Sequence, residues 1–171
     1  MGIMSFFKEA GEKLFGHKDT EAAATQAAAA PDNAELQAKA AAANRAAADA
    51  VVAYIKTQNL DADGLAVEFD GATGNVTVSG NAADQATKEK ILLCCGNVHG
   101  VAQVNDMLTA NEPADESQYH TVVRGDTLSA IAKTYLGNAN KYPAIFEANR
   151  PMLSHPDKIY PGQLLRIPAE A

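Results

Sequence analysis

Tyr119-His120-Thr121-Val122-Val123-Arg124-Gly125-Asp126-Thr127-Leu128-Ser129-Ala130-Ile131-Ala132 changes its hydrophobic period partway along. His120 to Val123 reads as a short strand. Asp126 or Thr127 then offers a side-chain oxygen to cap a helix that carries Leu128, Ile131, Ala132 and Tyr135. Gly137-Asn138 breaks this helix, and a second one holds Tyr142, Ile145 and Phe146. Asn149 fits a left-handed cap at its end, and Pro151 prevents continuation. Tyr160-Pro161-Gly162-Gln163 places Pro second and Gly third, as a type II turn requires. Leu164 to Ile167 is the closing strand. Residues 119–168 therefore read as a compact β-α-α-β unit.

Upstream, Asn111 to Gln118 (NEPADESQ) is a polar linker of the kind that separates domains. Residues 44–110 read as α-β-β-α-β. Ala47, Val51, Tyr54 and Ile55 share a helical face, while Leu65, Val67 and Phe69 alternate with polar or small residues in a half-buried strand. Gly71 to Asn75 is turn chemistry, and Val76-Thr77-Val78-Ser79 answers as the hairpin partner. A helix from about Asp84 to Cys95 leads through Gly96-Asn97-Val98-His99-Gly100 into a last strand, Val101 to Leu108. Residues 17–43 are low in complexity and read as an alanine-rich spacer or helical extension, interrupted at Pro31-Asp32-Asn33. Residues 1–16 place Ile3, Phe6, Phe7, Ala10 and Leu14 on one face, predicting an amphipathic helix that docks on residues 44–110. The class expected is α+β: two small domains preceded by an N-terminal helix.

Between Ala22 and Ala50, 17 of 29 residues are alanine, so the 47% apolar fraction overstates the area available for a core. A net charge of −7 opposes nucleic-acid binding, which rests on Lys and Arg paired with phosphates. No apolar run is long enough to span a bilayer, and a Lys8-Glu9 pair interrupts the N-terminal one, which excludes an export signal. The expectation is a cytoplasmic monomer. Cys94 and Cys95 are neighbours without disulfide or C-x-x-C spacing and read as helix packing residues. The chain holds no nucleophile elbow, H-E-x-x-H or P-loop, so no enzyme is expected. His17, His99, His120 and His155 are scattered without metal-ligand spacing, and Asp61-Ala62-Asp63-Gly64 reads as a turn.

Tyr119, Val122, Gly125-Asp126-Thr127-Leu128, Ile131-Ala132, Asn149, Ile159-Tyr160-Pro161-Gly162-Gln163, Leu165, Ile167 and Pro168 make the last unit resemble a LysM domain closely. The resemblance implies glycan contacts at Gly125, Asp126, Thr127, Leu128 and Ile159. Val76 to Gly80 and Gly100-Val101 make residues 44–110 resemble a BON domain. Together with Met1-Gly2, Phe6, Lys8, Ala10 to Leu14, Lys88 to Leu92, Gly96-Asn97, Ile145 to Asn149 and Pro156 to Gln163, the chain is similar to the bacterial potassium-binding protein family. That family senses cytoplasmic K⁺ and changes shape on binding it. Membership implies a K⁺ sensor or buffer. The alternative is a LysM glycan- or peptidoglycan-binding adaptor of the cell envelope.

K⁺ suits several neutral carbonyl oxygens, whereas carboxylate cages suit Ca²⁺ and Mg²⁺. Gly96 to Gly100 follows a helix C-terminus, whose last carbonyls lack intrahelical partners and carry partial negative charge. The family resemblance implies an ion held by backbone oxygens of Phe7, Ala10, Gly96, Asn97, Val98 and Val101. Rb⁺ and Cs⁺ are expected to substitute for K⁺. The alanine-rich stretch and His99 depart from the family pattern.

Overall fold

The computed structural model describes residues 3–5 and 11–169. Its elements are β1 (Ile3–Ser5), α1 (His17–Ala29), α2 (Ala34–Thr57), β2 (Asp63–Asp70), β3 (Asn75–Asp84), α3 (Gln85–Gly96), β4 (Gln103–Glu112), β5 (Gln118–Thr121), α4 (Leu128–Leu136), a 3₁₀ turn (Ala139–Lys141), α5 (Tyr142–Ala148) and β6 (Leu164–Ile167). The α+β class and the β-α-α-β order of the last unit stand as read.

β1 to β4 form one sheet in the order β1-β4-β3-β2. The β2–β3 hairpin is antiparallel, and β3 runs parallel to β4. Parallel neighbours need a crossover, which α3 supplies. Asp84 starts α3 because its carboxylate accepts the Thr87 N–H at 2.6 Å. The core between helices and sheet contains Val51, Ile55, Val76, Val78, Ile91, Leu92, Cys94, Cys95, Val98, Val101 and Val104. Burying each large aliphatic there is worth about 1.5–3 kcal/mol.

The alanine-rich stretch folds as a helical hairpin. Asn33 caps α2 by accepting from Glu35 N and Leu36 N. Ala23 and Ala27 of α1 meet Ala40 of α2, with Leu36 and Ala43 beside them. Small side chains let the two axes approach closely, and Gln37 Nε2 donates to the Ala27 carbonyl at 2.8 Å, satisfying the end of α1. α2 continues without interruption from this hairpin into the helix that packs on the sheet.

The expected N-terminal helix is corrected at both of its described ends: residues 11–16 are irregular, with Glu12 in an isolated bridge to Val98, and the start is extended. Ile3–Ser5 is a strand, paired antiparallel with β4 as Ile3↔Asn105, Met4↔Val104 and Ser5↔Gln103. β4 has β3 on one side only, so its other edge carries unpaired N–H and C=O groups that a three-residue strand satisfies. Helical spacing in the sequence has no access to that tertiary demand. The rest of the expected face at Phe6, Phe7 and Ala10 lies outside the described residues. Leu14 and Phe15 do pack on the core, and the Phe15 and Phe69 rings meet edge-on at 4.9 Å.

In the C-terminal unit β5 and β6 pair antiparallel, and Val122, Leu128, Ile131, Ala132, Ile145, Leu153, Leu165 and Ile167 form a separate core. Thr127 is the α4 cap, its hydroxyl accepting from Ala130 N at 3.1 Å. Gly162, at φ +88, and the Gln163 N–H to Tyr160 carbonyl bond of 3.0 Å bear out the type II turn. Asn149 is corrected: its φ is −106, not left-handed. Its side chain is used instead, donating to the Ile145 and Arg166 carbonyls and accepting from Arg166 N.

Candidate ion-binding loop

α3 ends by turning back on itself. Asn97 N donates to the Leu93 carbonyl at 3.1 Å, Val98 N to Cys95 at 3.3 Å, and Val101 N to Val98 at 3.1 Å. Gly100 adopts φ +94, in the left-handed region that favours glycine. The result is a tight loop whose Gly96, Asn97, Val98 and Val101 are all buried. Four of the six expected ligand positions therefore share one loop. Phe7 and Ala10 lie outside the described residues.

A second segment crosses this loop. Glu12 N donates to the Asn97 carbonyl at 2.7 Å, and His99 N donates to the Glu12 carbonyl at 2.8 Å, making an isolated parallel bridge. Gly11, at φ +107, presses its Cα against the Asn97 carbonyl so closely that a Cβ there would collide with backbone. His17, at the start of α1, packs its Cβ against Gly100 in the same way, and its ring meets His99 at 4.3 Å. His17 and His99, far apart in sequence, thus meet in the fold, although no metal-holding group of His, Cys, Asp or Glu forms among the described residues.

The donor set suits a large monovalent cation. Among the described residues no group of three or more His, Cys, Asp or Glu could hold a metal ion, and the loop's own oxygens are neutral backbone carbonyls rather than the carboxylates that suit Ca²⁺ and Mg²⁺. The Asn97 and Val98 carbonyls each accept one hydrogen bond, and a carbonyl oxygen retains a second lone pair for an ion. Burial removes competing water, and the C-terminal end of α3 contributes partial negative charge.

The loop also touches the C-terminal unit, which the sequence reading missed. Asn97 Nδ2 donates to the Leu164 carbonyl at 2.9 Å, and Leu164 N donates to Asn97 Oδ1 at 2.8 Å. Nearby, Arg166 Nε donates to Glu89 Oε2 at 2.6 Å, while Glu89 Oε1 accepts from Gln85 Nε2 and Ser117 N. Burial alone would raise the Glu89 carboxyl, but these hydrogen bonds outweigh it and hold the group below the usual carboxylate range. Tyr54 from α2 and Tyr160 from the C-terminal unit both lie near Glu12. Burial first, with that charge among the smaller contributions, keeps both phenols protonated. No sequence signal separates Gly96-Asn97 from an ordinary helix stop, so this junction was not legible.

The expected glycan residues also converge. Asp126, Thr127, Leu128 and Ile159 line a cleft of about 500 Å³ that includes Ser129, Tyr142, His155, Pro156 and Asp157. Gly125 adjoins it, at φ +94. Asp126 is held by Val123 N at 2.9 Å and His120 Nε2 at 2.7 Å. These bonds, the backbone one foremost, lower its carboxyl.

A parallel-crossover sheet unit is thus followed by a β-α-α-β unit with its own core. Residues 44–112 match the BON domain family, and residues 120–168 match the LysM domain family. Over 171 residues, 99% of this chain and 100% of its relative, the sequence is 44% identical to the potassium binding protein Kbp of Escherichia coli O6:H1. This chain belongs to that family. An uncharacterized protein of Deinococcus radiodurans is 49% identical over 49 residues, which is 29% of this chain and 19% of that protein. Among the described residues no helix is long and apolar enough to cross a membrane.

Proposed function

We propose that this chain is a cytoplasmic, monomeric K⁺-binding protein, a sensor or buffer without enzymatic activity, that changes conformation on taking the ion. The observation that carries the reading is the close approach of Gly11 to the Asn97 carbonyl. It places Gly11 and Glu12 against the buried loop of Gly96, Asn97, Val98 and Val101, and on this reading Phe7 and Ala10, just before them in sequence, supply the remaining carbonyls. Carbonyls from two chain segments then share one cation, so binding ties the segments together. Neutral carbonyl oxygens favour K⁺, Rb⁺ and Cs⁺ over Na⁺, which needs tighter contacts. Support also comes from the 44% identity to a protein named for potassium binding.

The experiment is calorimetric titration of the full chain with KCl, NaCl and a chitin oligomer. Saturable heat with KCl and none with matched NaCl supports the reading. Equal heats with both salts count against it. The chitin arm addresses a second reading, an envelope adaptor, which the cleft lined by Asp126, Thr127, Leu128 and Ile159 favours. Binding of chitin alone would transfer the proposal to that cleft.

A further inference from the structure

β6 has two edges and, among the described residues, one strand beside it. Val122 N donates to the Gln163 carbonyl at 2.8 Å, and antiparallel pairing continues along β5, so every second residue from Gln163 turns its backbone groups toward β5. Leu164 and Arg166 turn theirs to the opposite edge. Two asparagine side chains cover that edge. Asn149, from the LysM unit itself, pairs with both backbone groups of Arg166. Asn97, from the BON unit, pairs with both backbone groups of Leu164. A side-chain amide with one donor and one acceptor reproduces what a neighbouring strand would offer.

Asn97 is only 7% exposed, and its own backbone carbonyl faces Gly11 and Glu12. Its backbone and its side chain are therefore fixed by different parts of the molecule. We infer that the Asn97 side chain is a positioning residue for the ion loop, setting the orientation of the Asn97 peptide by pairing with the Leu164 backbone of the LysM unit. This rests on the K⁺ reading above and adds to it a specific requirement on a side chain that need not touch the ion. With the pair intact, the carbonyls of the loop hold one spacing. Without it, the peptide can rotate about its neighbours, and the spacing that discriminates between cations relaxes.

The test compares Asn97→Ala and Asn97→Ser with Arg166→Gln, which breaks the Arg166–Glu89 ion pair between β6 and α3 and leaves the loop residues themselves unchanged. K⁺ and Na⁺ affinities are measured for each full-length chain. Two buried hydrogen bonds are lost in the Asn97 variants, so K⁺ affinity should fall by about tenfold and the K⁺-to-Na⁺ ratio should shrink with it. Arg166→Gln should keep the ratio of the parent chain. Exchange of the Leu164 amide, slowed by KCl in the parent, should no longer respond to KCl in the Asn97 variants. A purely structural role would move affinities for both ions together and leave their ratio unchanged, which overturns the inference. So does unchanged K⁺ affinity in both Asn97 variants. A parent chain that does not distinguish K⁺ from Na⁺ would instead overturn the K⁺ reading itself.

Discussion

Arg166 and Glu89 form a nearly buried ion pair between the two domains, Nε to Oε2 at 2.6 Å, with side-chain exposures of 12% and 3%. Glu89 also accepts from Gln85 and from the Ser117 backbone, so its charge is fully solvated by protein. Removing one partner strands the other. Glu89→Ala should cost about 3–5 kcal/mol, whereas Glu89→Leu combined with Arg166→Met should cost far less, since it removes both charges together. Urea unfolding of the two variants beside the parent chain checks the order.

The same pair sets an acid limit. The Glu89 carboxyl is depressed in the folded chain, so folding binds fewer protons there than the unfolded chain does. Its contribution is complete above the unfolded carboxyl value of about 4.3 and is lost as pH falls through the lower folded value. Thermal unfolding between pH 7 and pH 3 should show stability falling below about pH 4.5. The fall should be smaller in the Leu/Met double variant. An equal fall in both would assign the acid response to other carboxylates, among them Asp84 and Asp126, which are also lowered.

Gly11 lies in the left-handed region, and any Cβ there would meet the Asn97 carbonyl. Gly11→Ala should therefore weaken K⁺ binding by about tenfold or more, through backbone strain of about 1–3 kcal/mol. By contrast, Asp61→Asn and Asp63→Asn should leave K⁺ affinity within about twofold, because salt screens their distant field. Calorimetry on the three variants decides between carbonyl and carboxylate ligation.

Much of this architecture was legible, and the omissions have physical causes. Alternation at Leu65, Val67 and Phe69 and the Pro161-Gly162 turn report local preferences, and both elements stand where the residues put them. Ile3–Ser5 was read as helix because an open edge on β4 is a tertiary fact that no local period encodes. Asn149 was read as a left-handed cap because its composition signals only that something polar ends a helix. Its amide in fact serves β6. The loop from Gly96 to Val101 was found through family resemblance, since backbone ligands leave no side-chain pattern. The Asn97–Leu164 pairing spans two domains and left no trace in the sequence.

Cys94 and Cys95 are wholly buried, and burial pushes the Cys94 thiol up to about 12 and raises Cys95 as well. Thiolates are the reactive form, so both should resist alkylation at pH 8 in the folded chain and react together on unfolding. Mass spectrometry after a timed iodoacetamide pulse, with and without urea, reads this directly.

The central claim is that one monovalent cation sits on backbone carbonyls of the Gly96-to-Val101 loop. Rb⁺ should occupy a K⁺ site and scatters anomalously near its absorption edge. Crystals of the full chain grown in RbCl and measured at that edge locate the ion without interpretation of its chemistry. The account predicts one strong anomalous peak within coordination distance of the Gly96, Asn97, Val98 and Val101 carbonyl oxygens. A peak held instead by Asp61 and Asp63, or in the cleft beside Asp126 and Asp157, would contradict it.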